Sequence, residues 1–302
     1  MTRAQGFFYK GAVMTQVTHR RVLSLFLLLF LAFAGSAEAY LLSSSQITRQ
    51  MVKKLGRPVT ATLQQKELFF RRAQSETPDE ENLVFHEVVT LSKPDRFHSV
   101  VTAGEKRVEQ YSTFDTWFRV VDGGLDSKGV ERAADRYRDP LQFRRDSLIS
   151  QRLTDAGVDL SVTSLNRHAG RIAWVMGAKS TDTSVRPQFW VDKESFLPMR
   201  WILFDKKSAQ QVEIWYHGWF KQGKSMYPAR IEFYADGRLF REIHIEKVTA
   251  TKPLDAKLFD PARYAEKKDA PSQEAPAAPE ASEKQRRMEE LERILSNDPL
   301  AF

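Results

Sequence analysis

The sequence predicts a mainly β protein, an α+β chain whose body is a single curved antiparallel sheet with helices capping its concave face. Three observations lead there. Apolar residues recur with period two in short runs about ten residues apart, separated by Gly, Pro and Asp turns, which marks consecutive antiparallel strands. The aromatic residues, 20 Phe, 8 Tyr and 6 Trp, concentrate in those runs. Several runs are apolar on both parities, so a flat open sheet would leave one apolar face in water. Curvature around two covering helices removes that conflict and encloses an apolar cavity.

Each element has a local cause. Residues 43–55 form an amphipathic helix, with Ile47, Met51 and Leu55 on one face and Gly56-Arg57-Pro58 to stop it. Beyond Pro58 the period changes to two. Leu83, Phe85, Val89 and Leu91 alternate with Val84, His86, Val88 and Thr90, Pro94-Asp95 turns the chain, and residues 97–103 return. Trp117, Arg119 and Val121 alternate with Phe118 and Val120 before the turn Asp122-Gly123-Gly124. Between Gly124 and Gly157 alternation stops. Asp139-Pro140 there reads as a helix start, Leu148, Ile149 and Leu153 share a helical face, and Gly157 ends it. Strands are then expected at 158–165, 172–176, 188–192, 198–204, 212–219, 227–234 and 239–248, with a tight hairpin at Asp236-Gly237. No fixed-period repeat is visible, which excludes propellers and solenoids.

The termini read differently. VLSLFLLLFLAFA (22–34) follows His19-Arg20-Arg21 and precedes small residues, the three-part pattern of a signal peptide cleaved after Ala39. Its apolar core is short of the roughly 20 residues that span a bilayer. Met14 gives a more typical start than Met1. Residues 40–264 are thus expected to be the folded domain, 265–280 a Pro/Ala/Glu-rich linker, and 281–302 a helical tail with Met288, Leu291, Ile294 and Leu295 on one side.

Composition narrows the chemistry. The chain of 302 residues has no Cys, which excludes disulfides, thiolate metal sites and cysteine nucleophiles. Its net charge is +7, and residues 1–39 hold four basic residues and one acid. The remaining 42 basic and 38 acidic residues, a net of +4, are too balanced to argue for a nucleic-acid partner. No nucleophile elbow, zinc-helix, phosphate-loop or dinucleotide glycine motif occurs. Glu242, His244 and Glu246 would share one strand face, but period-two alternation against Ile243 and Ile245 explains them without a metal. The sequence therefore predicts a non-enzymatic protein without metal or cofactor.

The carboxyl half resembles a known family. Residues 187–200, PQFWVDKESFLPMR, are similar to the WVDxExxLPxR hairpin of the LolA-like family of periplasmic carriers, the outer membrane lipoprotein-sorting proteins. Tyr216-His217-Gly218-Trp219 and MYPARI (226–231) resemble that family's paired strands. Ile243 to Val248 followed by PLDAKLF (253–259) resembles its closing strand, and Lys93-Pro94-Asp95-Arg96-Phe97 its early turn. The likeness covers roughly residues 45–260, while the linker and tail depart from it.

The resemblance implies a half-barrel that shields acyl chains of a lipoprotein or lipid in the periplasm. It implies a monomer working between an inner-membrane exporter and an outer-membrane acceptor. The more apolar parity of each strand then gives the cavity lining: Leu83, Phe85, Trp117, Trp174, Met176, Met199, Trp201, Ile214, Ile231, Phe233, Ile243 and Ile245, with Leu148, Ile149 and Leu153 as the inner face of a lid. The alternative is an envelope sensor or interaction module of the same fold that binds lipid or protein without moving cargo.

Overall fold

The computed structural model describes residues 41–57, 60–70, 83–103, 106–129, 131–182, 185–204 and 210–269. The expected signal peptide, most of the linker and the helical tail lie outside these residues.

Helix α1 (Ser44–Leu55) begins where Ser43 and Gln46 cap each other: the Ser43 amide donates to Gln46 Oε1 at 2.9 Å and the Gln46 amide to Ser43 Oγ. It ends at Gly56, whose φ is +83°. A Cβ there would stand 2.0 Å from the Lys224 carbonyl oxygen, so both the backbone conformation and the close approach require glycine.

Fifteen strands follow: β1 (Ala61–Phe69), β2 (Leu83–Ser92), β3 (Arg96–Ala103), β4 (Lys106–Ser112), β5 (Trp117–Val121), β6 (Gly124–Lys128), β7 (Thr163–His168), β8 (Arg171–Met176), β9 (Gln188–Asp192), β10 (Pro198–Phe204), β11 (Gln211–His217), β12 (Phe220–Gln222), β13 (Ser225–Tyr227), β14 (Arg230–Ala235) and β15 (Arg238–Ala250). Thirteen of them form one open antiparallel sheet, in the order β6-β5-β4-β3-β2-β1-β15-β14-β11-β10-β9-β8-β7. β12 and β13 pair apart from it. The sheet is thus two meanders sewn together where β1 pairs with β15. Its two edges, β6 and β7, are consecutive in the chain.

That topology determines where the helices lie. The connection from β6 to β7 must cross from one edge of the sheet to the other, and it carries a 3-10 turn (Ala134–Arg138), α2 (Asp139–Gln142) and α3 (Asp146–Asp155). Together with α1 these elements cover the inward face, where Ile47, Met51, Leu55, Leu141, Ile149 and Leu153 pack into the main core. The outer face of β4 to β6 is covered instead by the carboxyl-terminal 3-10 segments Ala256–Phe259 and Pro261–Asp269. There Phe259 and Tyr264 meet Tyr111 with ring centroids 5.7 and 5.4 Å away.

The mainly β architecture is as the sequence predicts, with several corrections of detail. The helix expected from Asp139 is broken at Phe143, which leaves helical geometry at ψ 72°, and so divides into α2 and α3. The strand expected from Val158 starts at Thr163, and the run at 227–234 divides at Pro228-Ala229, because proline cannot donate to a ladder. β1, β4, β6 and β12 are not among the expected strands. Residues 265–269, expected to open the linker, continue the 3-10 segment.

Candidate functional site

The candidate site is the inward face and its cover. Register places Trp174, Met176, Trp201, Ile214, Ile231, Phe233, Ile243 and Ile245 on that face, in one buried cluster with Ile149 and Leu153. Leu83 and Phe85 share the face but pack in a smaller group with Phe69, Val101 and Val108. Trp117, paired with Ser112, is inward and half-buried. Leu148 is half-buried on α3.

Met199 is the exception. The β9–β10 register shifts between Pro198 and Arg200, so the bulge turns Met199 away from Trp201. It packs on the outer face with Ala173, Val175 and Trp190.

The inward face is filled by side chains rather than hollow, and two features set it apart from an ordinary core. The indole nitrogens of Trp174 and Trp201 are buried without an acceptor. The Trp117 indole nitrogen is a third; an unpaired buried donor costs about 1–3 kcal/mol, so this face keeps three unused hydrogen-bond donors. The cover, moreover, carries buried polar contacts beside its apolar ones.

Arg144, in the break between α2 and α3, is buried and donates from Nε to the Leu141 carbonyl (3.0 Å), from Nη1 to Leu55 (2.7 Å) and from Nη2 to Met226 (2.8 Å). Its guanidinium lies 5.0 Å from the Tyr227 ring centroid. One side chain thereby joins the end of α1, the end of α2 and β13. Burial lowers its pKa to about 10, so it stays charged at neutral pH.

A second latch ties α3 back to the 3-10 turn. Arg152 grips Asp139 with two donors, at 2.9 and 3.0 Å, and also pairs with Glu131, which accepts from Arg138 as well. Burial, outweighing Arg152, pushes Asp139 up to about 6. Glu131 is held low because Arg138 and Arg152 together overcome its burial. Tyr216 of β11 adds a hydrogen bond from its hydroxyl to the Tyr137 carbonyl, 3.1 Å.

Neither latch was foreseen from the sequence. A different polar signal lies in the strands, where Glu67 and Glu87 occupy inward positions among apolar neighbours and both are buried. Of the residues weighed for a metal, His244 bonds Glu242 at 2.8 Å, and Glu246 falls at a register shift between β1 and β15. Among the described residues no group of three or more His, Asp or Glu is placed to hold a metal. No described helix is long and apolar enough to cross a membrane.

The outer face carries a different surface. Arg200 lies between Trp190 (5.3 Å) and Trp215 (5.8 Å) and pairs with Glu213 at 2.6 Å, while His168 meets Trp215 edge-on at 4.4 Å.

No family model and no curated protein matches the chain. Solved structures do. A LolA superfamily protein from Nitrosomonas europaea is similar at 10% identity over 72% of this chain and 98% of that one, with a TM-score of 0.49. A domain assigned to outer membrane lipoprotein sorting in Vibrio parahaemolyticus is similar at 7% identity, with 72% and 95% covered and a TM-score of 0.44. A DUF1329 family protein from Desulfovibrio piger is similar at 12% identity, with 72% and 96% covered and a TM-score of 0.46.

Proposed function

We propose that the chain is a carrier that shelters acyl chains of a lipid or lipoprotein against its inward face, without catalysing a reaction. The observation that carries this reading is a broad apolar face under a cover that is tethered at the two sheet edges and carries buried polar latches. Polar latches release one contact at a time, whereas a sheet-to-sheet core has no such seam. The unpaired indoles of Trp174 and Trp201 suit a cargo with carbonyl or ester oxygens among its chains. The leader expected at 1–39, with cleavage after Ala39, places this work in the periplasm, between an exporter and an acceptor.

The interaction-module reading draws on a separate observation, the outer-face band of half-buried His168, Arg200 and Trp215 around the buried Trp190, whose mixture of aromatic rings and arginine is typical of protein contact surfaces. It predicts binding of a protein partner, or of lipid, with no transfer of cargo.

The experiment uses the absence of cysteine. Arg49 on α1 and Asp146 on α3 are exposed and lie 3.9 Å apart at their charged ends. In an R49C/D146C variant, a short reductant-cleavable bis-thiol linker would join the two helices. The exported protein is expected to take up a fluorescent fatty acid, to lose uptake when linked, and to regain it on reduction. Uptake unchanged by the linker refutes the moving cover, and a protein that neither co-purifies with acylated molecules nor takes up the probe refutes the carrier.

A further inference from the structure

The apolar inward face is interrupted by buried polar side chains on β1, β2 and β15. Glu67 and Glu87, 4% and 6% exposed, stand on adjacent strands facing the cover, and Gln65 donates to the Glu87 carboxyl. Arg241 of β15 reaches Glu67 Oε1 at 2.5 Å. From above, the 3-10 turn lowers Asp135 and Tyr137 toward them. These groups line a cavity of about 40 Å³, which Arg132 also borders and which Phe69, Val101 and Val108 close on one side.

Charge decides what such a cavity accepts. Three carboxyl groups, those of Glu67, Glu87 and Asp135, face two guanidinium groups, those of Arg241 and Arg132. One acid is in excess. Burial and then the neighbouring Glu67 hold the Glu87 carboxyl well above the usual carboxylate range, which favours its neutral form. The acceptor capacity is also unspent: Asp135 is 7% exposed and its Oδ2 has no hydrogen-bond partner. A buried, unpaired carboxylate oxygen beside a protonated acid is a vacancy for a donor that brings its own positive charge.

We propose that this pocket binds the protonated amino group of an amine-bearing amphiphile, with Glu67, Glu87 and Asp135 as acceptors and the first methylenes against Phe69, Val101 and Val108. The volume suits an ammonium group with about one or two carbons, since one water occupies a cavity of about 10–15 Å³ on this measure. As the ammonium enters, Glu87 releases its proton to solvent, and the charge of the site is unchanged. The amphiphilic part of this assignment rests on the carrier reading, whereas the amine pocket itself does not.

Isothermal titration of the exported protein at neutral pH, in two buffers of different ionisation enthalpy, tests it with four probes: dodecylammonium, dodecanol, dodecanoate and methylammonium. Dodecylammonium is expected to bind at least about tenfold more tightly than dodecanol, with dodecanoate weakest and close to one proton released per amine bound. Glu87→Gln is expected to abolish the proton release, and Asp135→Asn, placed on the turn and not in the sheet, to erase most of the preference for the amine. Equal binding of the three dodecyl compounds overturns the amine site and leaves the carrier standing. Binding of methylammonium, with its proton release, when no dodecyl compound binds keeps the amine site and overturns the carrier. If nothing binds, both fall.

Discussion

Replacing Arg144 with methionine tests the cover at its most connected point. The substitution keeps an unbranched side chain of related length and removes three donors, so the carbonyls of Leu55, Leu141 and Met226 lose their partner together. At about 1–3 kcal/mol for each unsatisfied buried acceptor, the loss is roughly 3–9 kcal/mol before relaxation. An opposing effect is visible in the arginine itself. Its pKa falls from 12.5 to about 10 because burial disfavours the charge, and a depression of that size corresponds to about 3 kcal/mol that the variant no longer spends. Water reaching the freed end of α1 recovers more. The expected net is a destabilisation of about 1–4 kcal/mol, which at about 2–4 °C per kcal/mol lowers Tm by several degrees to the mid-teens. The variant should also exchange amide hydrogens faster in the last turn of α1 and take up a fluorescent fatty acid faster than the parent, because a latch has gone and the apolar face has not. Unchanged Tm with unchanged uptake kinetics would show that Arg144 fastens nothing. A lower Tm with slower uptake would show that the closed cover is the binding-competent state, and would refute the latch.

Three further outcomes can be checked by thermal or denaturant unfolding. Glu87 keeps a proton in the folded state that the unfolded chain gives up above about pH 4.5, so folding stability should fall as pH rises through the folded pKa, by up to about 1.4 kcal/mol per unit. Glu87→Gln lacks this dependence, so its Tm relative to the parent should rise as pH increases from about 4.5; a gap that stays constant would contradict the raised pKa. Arg152→Met strands Asp139 and Glu131 as buried acids without their shared partner and should cost about 3–5 kcal/mol, part of it recovered by adding Asp139→Asn, as a double-mutant cycle would show. Gly56→Ala sets a Cβ against the Lys224 carbonyl at a positive φ, and the α1–β13 junction should open, detected as lost amide protection at Ser225 and a Tm drop larger than the roughly 1 kcal/mol that a helix glycine ordinarily represents.

What the sequence made legible was local. The helix at 43–55 with its Ile47, Met51 and Leu55 face, the Asp236-Gly237 hairpin and the inward parity of Trp174, Trp201, Ile214 and Phe233 each follow from residues a few positions apart, and the structure places them accordingly. The errors have two physical sources. Period-two reasoning assumes an unbroken ladder, and the shift between Pro198 and Arg200 reverses Met199 while leaving Trp201 in place. It also discounts strands whose inward positions are polar. β1 carries Gln65 and Glu67 there, and β4 (KRVEQYS) offers little apolar pattern, because its outward Tyr111 is buried by a segment almost 150 residues later in the chain, at Phe259. The latches were beyond local reading altogether. Arg144 meets carbonyls 89 and 82 positions away, and nothing near it in sequence announces them.

The strength of the cover sets limits on how a carrier of this construction exchanges cargo. Ile47, Met51, Leu55, Ile149 and Leu153 are essentially without exposure, and at about 1.5–3 kcal/mol for each buried side chain their seats on the inward face are worth roughly 8–15 kcal/mol. That equals the whole stability of a typical domain, so lifting both α1 and α3 from an empty face amounts to unfolding. Lifting α3 alone, with Ile149 and Leu153, costs about 3–6 kcal/mol, and its tether to the β6 and β7 edges keeps it close enough to return. At about 0.8 kcal/mol per methylene, four to eight methylenes of an entering chain replace what α3 surrenders. Entry and closure are then nearly balanced, and the direction of transfer is left to whichever partner holds the acyl chain more deeply. A face that bound cargo without giving up side-chain contacts would gain the full methylene energy and would not let go.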